Sequence, residues 1–413
     1  MPKNIRPKRI LMLLENESFP DDTRVLMEAE SLDHAGFDVT VICPTGESSR
    51  KLDRVGRIRV YRYPKPLEMG GFIGYVTEYV YSMFMALVYS LWILVRHGFD
   101  AVHVHVPPDM NALVAIFYKC LGKRFVLDMH DLSPELYQAQ RGGDGNRLVF
   151  RTLLWFERLA CRWADRLIST NETQRVVQTN RCGAKSDHCY VVRNGPNETF
   201  LKPTEPCAEL IKPNRTVIGY VGVIGVQDGV DFFLRALSEL RTVRKRENFL
   251  AVVVGSGPAF NGLRELAKEL ALDDYVHFTG MITFSLVPSH IAAFDICVTP
   301  DPSNPYNDSC TTIKTLEYMA LGKPTVCFRT VENQYTAGDA ALYAENNDVS
   351  EFAAAIERLM DNPELRRTMG ANGRKRVENG FTWRQQERQL IDLYRQLFGL
   401  PSLNTRSMAN AVG

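Results

Sequence analysis

The stretch TTIKTLEYMALGKPTV, residues 311–326, indicates the fold most directly. Its apolar residues recur at helical spacing, and a Gly-Lys-Pro turn then leads into a short buried-strand pattern. Lys314 and Glu317 lie three residues apart, so they share a second face of the helix and are able to contact one ligand. A helix that begins just beyond a strand end suits a phosphate and a sugar ring, with hydroxyls supplied by Thr311 and Thr312.

Length and composition are those of a soluble globular enzyme. The 413 residues are enough for two domains with separate cores, and 45% of them are hydrophobic and 23% charged. The net charge of +1 argues against recruitment of nucleic acid by a global basic field. Nine cysteines without a CxxC pair indicate reduced thiols, and the first apolar run is too short for a signal peptide, so we expect a cytoplasmic protein.

Strand patterns alternate with helical patterns along the whole chain, which predicts an α/β fold with parallel, doubly wound sheets. The alternation restarts after the Pro-bearing segment 203–206. We therefore predict two Rossmann-like domains that face each other across a cleft, where cofactors and substrates commonly bind. The predicted parts are an N-terminal domain over 1–204, a C-terminal domain over 205–381, a long polar helix over 382–400 and a loose tail over 401–413.

The segment 79–95 (YVYSMFMALVYSLWILV) is apolar on every face and carries no charge. It is slightly shorter than the ~20 residues that usually span a bilayer. The simpler interpretation is a helix buried between the sheet and its neighbours. The alternative is a helix that rests in a membrane interface through residues 75–95, where amphipathic rings act as anchors: Tyr75, Tyr79, Tyr81, Tyr89 and Trp92.

Two glycine-rich turns each follow a strand and open a helix. The first is VGVIGVQDGV at 221–230, with Gly222 and Gly225, and the second is VGSGP at 254–258. Glycines permit close approach of the backbone, so the amide groups of these turns are candidates for holding a phosphate. The alternative is that both are only tight structural turns, the second with Gly255 and Gly257.

Taken together with 311–326, these turns resemble the retaining glycosyltransferases of the GT-B fold, in the family-four group. The resemblance covers nearly the whole chain, and further stretches that carry it are VRNGPN (192–197), VHFTG (276–280) and YMALGKP (318–324). Bacterial members that extend surface polysaccharides are most similar, through PDDTR (20–24) and SPELY (133–137).

The resemblance implies the activity and its requirements. The second domain is expected to bind a UDP- or GDP-sugar as co-substrate, and the first a glycan or lipid-linked acceptor. Transfer is expected to retain the anomeric configuration, without a cofactor or a bound metal. The helix 382–400 is expected to cross back to the first domain, as in similar proteins.

The same resemblance assigns donor-binding residues. Glu317 matches the second of two family glutamates and is expected to bind the ribose, whereas the first falls at Ser309 and is missing. The family also has an arginine and a lysine where this chain has Val223 and Asp228. We expect Lys314 to supply part of the missing charge for the diphosphate, together with Arg193 or Arg24.

In the first half, the strand FVLDMHD (125–131) ends in polar residues, and alternation puts Asp128 and His130 on one face. A histidine at a strand end is often a satisfied structural residue. The family has a functional histidine after this strand, so His130, with Asp131 beside it, is the expected catalytic group. Its expected work is to hydrogen-bond the sugar and position it.

Three further residues are assigned to the acceptor side. His103 and His105 share a strand face, but no third metal ligand is evident in the sequence, so His105 is expected to line the acceptor site. Asp22 is a candidate helix cap. Arg24 conflicts with the helix dipole in a first turn, which hints at a role in binding an acceptor phosphate.

The sequence thus predicts a metal-independent glycosyltransferase of surface polysaccharide synthesis, cytoplasmic or peripheral on the cytoplasmic face of the inner membrane. Two alternatives remain open. One is a nucleotide-sugar epimerase-like enzyme on the same fold. The other is a non-catalytic binding subunit, which the absent glutamate at Ser309 and the absent cations favour.

Overall fold

The computed structural model describes residues 6–46, 52–65 and 71–401; at 52, 71–73 and 75 only the backbone is described. The chain forms two compact units. The first comprises the chain up to Pro134, Asn146–Arg193 and the chain from Arg384 onward; the second comprises Glu135–Gly145 and Asn194–Trp383. The main part of the first unit thus ends at Arg193, before the predicted boundary at 204. Of the predicted tail 401–413, all but Pro401 lies outside the described residues.

The first unit is built on one eight-stranded sheet. Its strands are β1 (Arg9–Leu13), β2 (Asp38–Pro44), β3 (Leu52–Val55), β4 (Ile58–Tyr63), β5 (Ala101–Val106), β6 (Arg124–Met129), β7 (Arg166–Ser169) and β8 (Cys189–Val191). They lie in the order β3-β4-β2-β1-β5-β6-β7-β8, and all neighbours are parallel except β3 and β4. The predicted parallel sheet is confirmed, with an antiparallel edge strand that the sequence pattern did not identify.

Helices cover this sheet. They are α1 (Thr23–His34), α2 (Gly71–Arg96), α3 (Ala112–Cys120), α4 (Ser133–Gln140, which leads into the second unit), α5 (Arg147–Trp163) and α6 (Glu172–Asn180). The strands β5 and β6 are buried almost throughout, as is typical of parallel strands covered on both faces. Polar residues on such strands therefore meet inside the unit.

The second unit has a six-stranded, wholly parallel sheet. Its strands are β9 (Thr216–Val221), β10 (Phe249–Val254), β11 (Val276–Gly280), β12 (Ile296–Thr299), β13 (Thr325–Phe328) and β14 (Ala341–Ala344). Its helices are α7 (Val230–Thr242), α8 (Phe260–Glu269), α9 (Val287–Ala292), α10 (Ile313–Ala320), α11 (Val331–Ala337), α12 (Val349–Asp361) and α13 (Pro363–Arg376). The strand order is β11-β10-β9-β12-β13-β14. Successive connections run away from the β9–β12 pair in opposite directions, so this pair is the switch point of the sheet.

The last helix, α14 (Trp383–Leu397), packs on the first unit from Arg384 onward. The ring centre of Tyr394 on this helix lies 5.6 Å from that of Phe37. The hydroxyl of Tyr190 donates a hydrogen bond of 2.7 Å to Gln396 Oε1. Its inward residues are almost completely buried, among them Leu390 and Leu393. The helix therefore completes the core of a unit whose strands all lie before residue 192 in the sequence.

Of the two interpretations of the apolar segment, burial between the sheet and its neighbours holds for only one face of α2. One face, which includes Ser82, Ala86 and Ile93, packs against the sheet. The opposite face is exposed along the helix, at Val76, Val80, Phe84, Val88, Leu91, Trp92 and Val95. Only 22% of the apolar window is buried, and Val76–Arg96 is long and apolar enough, by length and composition, to cross a membrane.

Candidate functional site

Six polar side chains meet at the carboxyl ends of the central strands of the first unit, and we call them the buried polar cluster. They come from the first turns of α1, from β5 and from the end of β6: Arg24, Glu28, His103, His105, Asp128 and His130. All except His130 are nearly inaccessible to solvent. They lie in the same core because the alternation of β5 and β6 directs one side of each strand toward α1.

Asp128 is the centre of this cluster. Its Oδ1 accepts a hydrogen bond from Arg24 Nη2 at 3.0 Å, and its Oδ2 accepts one from Arg24 Nε at 3.3 Å. Oδ2 also lies 3.0 Å from His130 Nε2 and 3.4 Å from His105 Nδ1. Arg24 donates in addition to the carbonyl of Val192 at 3.0 Å and lies 3.0 Å from Glu28 Oε1. One buried carboxylate thus joins a cation to two imidazoles.

Burial and neighbouring charges shift the pKa values of the two acids in the cluster in opposite directions. Burial alone would raise the pKa of Asp128, but Arg24, His130 and His105 outweigh it and hold that pKa well below its ordinary value. Burial and the neighbouring Asp128 instead raise the pKa of Glu28 well above its ordinary value. Burial lowers the pKa of both His103 and His105. Neighbouring charges therefore favour an ionised Asp128 beside Arg24, whereas burial favours the protonated form of Glu28 and the neutral forms of His103 and His105.

The cluster places two further potential metal ligands, Glu28 and Asp128, beside His103 and His105. Ligand atoms of Glu28, His103, His105 and Asp128 all lie within 4.8 Å of one another. The guanidinium of Arg24, however, already contacts both carboxylates at 3.0 Å. A divalent cation would have to compete with this buried positive charge, so the donor set is poorly matched to a metal.

The residues predicted on the acceptor side are found in or beside this cluster. Asp22 caps α1, because its Oδ1 accepts from the backbone amide of Val25 at 3.0 Å. Arg24 and His105 are buried with partners inside the unit, and these partners explain why a cation is stable in the first turn of α1. His130 directly follows β6 and Asp131 comes next; the side chain of His130 remains 21% exposed.

In the second unit, Lys314 on α10 is buried among acids at the switch point. Its Nζ lies 2.9 Å from Asp301 Oδ1, 3.3 Å from Asp228 Oδ1 and 4.8 Å from the ring centre of Tyr220. Burial opposes the charge, but Asp301, Tyr220 and Asp228 raise the pKa of Lys314 well above its ordinary value, so the ammonium persists. Lys314 is therefore matched by two carboxylates within the unit, and its contribution to diphosphate binding stays a prediction.

Glu317, one turn along α10, is in the opposite situation. It is 7% exposed, and within the described parts of the chain its carboxyl makes no hydrogen bond or ion pair. Burial raises its pKa to about 8. A buried carboxyl with unfilled hydrogen-bonding capacity is costly unless it serves a ligand. The next residue, Tyr318, anchors the helix by accepting from the amide of Val221 at 2.8 Å.

The two glycine-rich turns are joined to each other through their backbones. The amide of Gly222 donates to Val254 at 3.1 Å, that of Gly255 to Gly280 at 3.0 Å, and that of Gly225 to Asp228 Oδ2 at 3.0 Å. A Cβ at Gly255, where φ is +129°, would lie 1.9 Å from the carbonyl oxygen of Gly222. These three amides are thus already used within the unit, and the predicted role of holding a phosphate does not account for them.

Gly257 has the same structural explanation, because a Cβ there would lie 2.6 Å from the carbonyl oxygen of Ile224. Close packing of the two turns requires both glycines of VGSGP. These contacts account for the glycines as parts of tight structural turns, and a phosphate contact of the turns stays a prediction.

The remaining predicted donor residues are distributed as follows. The hydroxyl of Ser309 donates to the carbonyl of Tyr306 at 2.7 Å, and Thr311 donates to Glu332 Oε2 at 3.1 Å. Thr312 is the residue before α10 and lies 3.0 Å from the hydroxyl of Thr315. Arg193 is the last residue of the first unit's main segment, and its backbone amide donates to Gln386 Oε1 at 3.3 Å.

Two residues of these sites were not identified from the sequence. Asp301 directly follows β12, and an acid just beyond a strand at a switch point is a signal that sequence patterns contain. Glu28 lies four residues after Arg24 on α1, the spacing of a helical ion pair. The long-range partners of both residues, in contrast, depend on the tertiary fold.

Comparison with known proteins agrees with this architecture. Residues 22–195 match the glycosyl transferase 4-like domain, and residues 215–362 match the glycosyl transferases group 1 family. An alpha-D-kanosaminyltransferase of Streptomyces kanamyceticus is 25% identical over 83% of this chain and 91% of its own length. The lipopolysaccharide core biosynthesis glycosyltransferase LpsD of Rhizobium meliloti is 32% identical over 38% of this chain and 44% of its own length.

Solved structures of low sequence identity share the fold. A sucrose-phosphate synthase from Thermosynechococcus elongatus superimposes with a TM-score of 0.78 at 20% identity, over 95% of this chain and 99% of its own. Anabaena Alr3699/HepE in complex with UDP-glucose gives a TM-score of 0.68 at 16% identity, over 95% and 100%. With two parallel-sheet α/β units and both family matches, the chain belongs to the GT-B glycosyltransferases of the family-four type.

Proposed function

We propose that this glycosyltransferase moves a sugar from a UDP- or GDP-sugar to a glycan or lipid-linked acceptor, with retention of configuration and without a metal. The proposed setting is surface polysaccharide synthesis at the cytoplasmic face of the inner membrane. The similarity to LpsD supports the polysaccharide setting, and the UDP-glucose complex of HepE supports the donor class.

The observation that carries the donor site is the environment of α10. Its Lys314 Nζ lies 3.3 Å from Asp228 Oδ1, at the position where the family resemblance implies a lysine, and this proximity supports a role for Lys314 near the diphosphate. Glu317, one turn away, offers a carboxyl without a protein partner in the described chain. A single carboxylate is well suited to accept hydrogen bonds from both hydroxyls of a ribose.

We assign the sugar-facing role in the first unit to His130, with Asp131 beside it. His130 is the accessible member of the buried polar cluster, and its backbone is fixed on both sides. Its amide donates to Val106 at 3.0 Å, and its carbonyl accepts from Gln174 Nε2 at 3.1 Å. A rigid, partly exposed imidazole is suited to orient a sugar hydroxyl.

We also propose that the first unit contacts the membrane surface. The exposed apolar stripe of α2 is continued by Phe117 and Leu121 near α3, which packs against both α2 and α5. The exposed side of α5 carries Trp155 and four arginines, Arg147, Arg151, Arg158 and Arg162, while its one acid, Glu157, is buried. An apolar and aromatic surface beside exposed positive charge is complementary to a bilayer with anionic headgroups.

A panel of UDP- and GDP-sugars, incubated with membrane extract and followed by NMR of the product, tests the assignment. We expect release of one nucleoside diphosphate, transfer with retention, and the same rate after treatment with EDTA. His130→Ala should slow transfer by about 10-fold or more, with nucleotide affinity unchanged. Nucleotide binding without turnover of any donor would instead identify a non-catalytic subunit, and conversion of the sugar without an acceptor would identify an epimerase.

A further inference from the structure

His130 has one ring nitrogen engaged inside the unit and one that is not. Its Nε2 lies 3.0 Å from Asp128 Oδ2 and 3.2 Å from His105 Nδ1. Its Nδ1 makes no hydrogen bond within the ranges that the structure describes, and the ring is 21% exposed. The protein contacts therefore act on Nε2, and the edge that carries Nδ1 is the one available to a ligand.

The identity of the partner decides where the proton resides. Asp128 is ionised through its paired contacts with Arg24, and an ionised carboxylate only accepts hydrogen bonds. A neutral His130 is thus stabilised with its proton on Nε2, directed at Asp128, and its lone pair on Nδ1. The second imidazole, His105, turns its Nδ1 toward the same carboxylate oxygen at 3.4 Å.

We propose that Asp128 is a positioning residue that fixes His130 in the Nε2–H tautomer, so that Nδ1 accepts a hydrogen bond from a sugar hydroxyl. Arg24 holds Asp128 in place from the opposite side, with both carboxylate oxygens engaged. This inference rests on the sugar-facing role proposed for His130. It assigns to Asp128 an orienting function and no contact with the substrate.

The test is a tautomer measurement combined with kinetics. In protein labelled with ¹⁵N-histidine, the signals of His130 are assigned by comparison with His130→Ala, and long-range ¹H–¹⁵N spectra report which nitrogen carries the proton. We expect Nε2–H in the wild-type protein. In Asp128→Asn the amide is able to donate to Nε2, so the proton should move to Nδ1 and kcat for transfer should fall by about 10-fold or more, with nucleotide Kd unchanged.

Asp165→Asn is the matched control. It makes the same substitution in the same unit, but Asp165 lies at the other end of β6, where its Oδ2 accepts from the amide of Phe125 at 2.8 Å and its Oδ1 lies 3.1 Å from Lys119 Nζ. This variant should keep both the tautomer and kcat. A loss equal to that of Asp128→Asn would mean that loss of any such carboxylate in the first unit slows transfer, and would overturn the inference.

Three other results would also overturn it: an Nδ1–H tautomer in the wild-type protein, an unchanged tautomer in Asp128→Asn, or an equal slowing by Asp128→Asn in a His130→Ala background. If Asp128→Asn does not fold because Arg24 loses its partner, the wild-type spectrum still shows which nitrogen of His130 carries the proton, and Nδ1–H would overturn the inference. If His130→Ala transfers sugar at the wild-type rate, the proposed role of His130 fails, while the spectra still decide what Asp128 does.

Discussion

At the scale of single residues, Glu317 is the side chain whose protonation is most informative. With a pKa raised to about 8 by burial, its carboxyl is mostly protonated at pH 7. A ribose diol donates two hydrogen bonds and so is best bound by the ionised carboxylate. Binding of a nucleotide should therefore lower the pKa of Glu317 and release a proton.

We predict that UDP or GDP binding releases close to one proton at pH 7 and that affinity rises by up to about tenfold per pH unit until about pH 8, where it levels off. Calorimetry in buffers of different ionisation enthalpy measures the proton directly. Glu317→Gln should abolish this release, and Glu317→Ala should weaken binding by roughly 10- to 100-fold. Wild-type affinity and proton release in both variants would remove Glu317 from the nucleotide site.

The charges around Lys314 show how one buried cation is held by acids from different elements. Its Nζ lies 3.3 Å from Asp228 Oδ1, in the turn before α7, and 2.9 Å from Asp301 Oδ1, which follows β12. The fold brings these acids to α10, and the two carboxylates keep the buried ammonium charged.

At the scale of secondary structure elements, α2 and α5 have unusual outer faces. Phe84 and Val95 on α2 are 58% and 90% exposed, and Trp155 on α5 is 57% exposed. A contiguous set of exposed apolar side chains is unusual on a soluble monomer and marks a surface that contacts another protein or a membrane. Their combination with the arginines of α5 is the basis for the proposed membrane contact.

We predict that the protein co-sediments with vesicles that contain phosphatidylglycerol, more weakly with phosphatidylcholine alone, and less at high salt. Each of Arg151→Glu and Arg158→Glu should reduce binding by at least about fivefold, since a basic residue near an anionic surface contributes about 1 kcal/mol. Phe84→Ser should also reduce it.

Matched controls lie in the second unit: Arg367→Glu on α13 and Val331→Ser on α11 change exposed residues of the same kinds. Both should bind vesicles like the wild type. An equal loss of vesicle binding in the controls would contradict the proposed membrane contact. Dimers that form with rising concentration, without vesicle binding, would show that the exposed apolar face of α2 binds protein and not lipid.

At the scale of the whole molecule, the chain starts and finishes in the same unit. The first unit consists of an N-terminal part and the helix α14, which is separated from it by nearly the entire second unit. The inward face of α14 is buried, with Leu390 and Tyr394 fully inaccessible. The stability of the first unit therefore depends on residues close to the C-terminal end of the sequence.

We predict that Leu390→Ala lowers the free energy of unfolding by about 2–5 kcal/mol, the usual cost of a buried leucine. Gln389→Ala, on the exposed side of the same helix, should change it by less than about 0.5 kcal/mol. Denaturant unfolding followed by circular dichroism measures both. Similar values for the two variants would show that α14 contributes little to the first core.

Several features were accessible from the sequence because they depend on local chemistry. The alternation of strands and helices predicted both sheets, and the strand expected within 125–131 is present as Arg124–Met129. The edge strands Leu52–Val55 and Ala341–Ala344 were not predicted. Short edge strands owe their conformation to pairing with a neighbour, which no local pattern records.

What the sequence by itself determined is the family, the two α/β units and the polar residues at strand ends, because periodicity and turn residues act over short distances along the chain. Only the tertiary structure decided which of these residues are partners. It joined Arg24 to Asp128 and Lys314 to Asp301, and it left Glu317 without a partner in the described chain. Charges pair through space, across elements that are distant in sequence, so burial and folding together fix their roles.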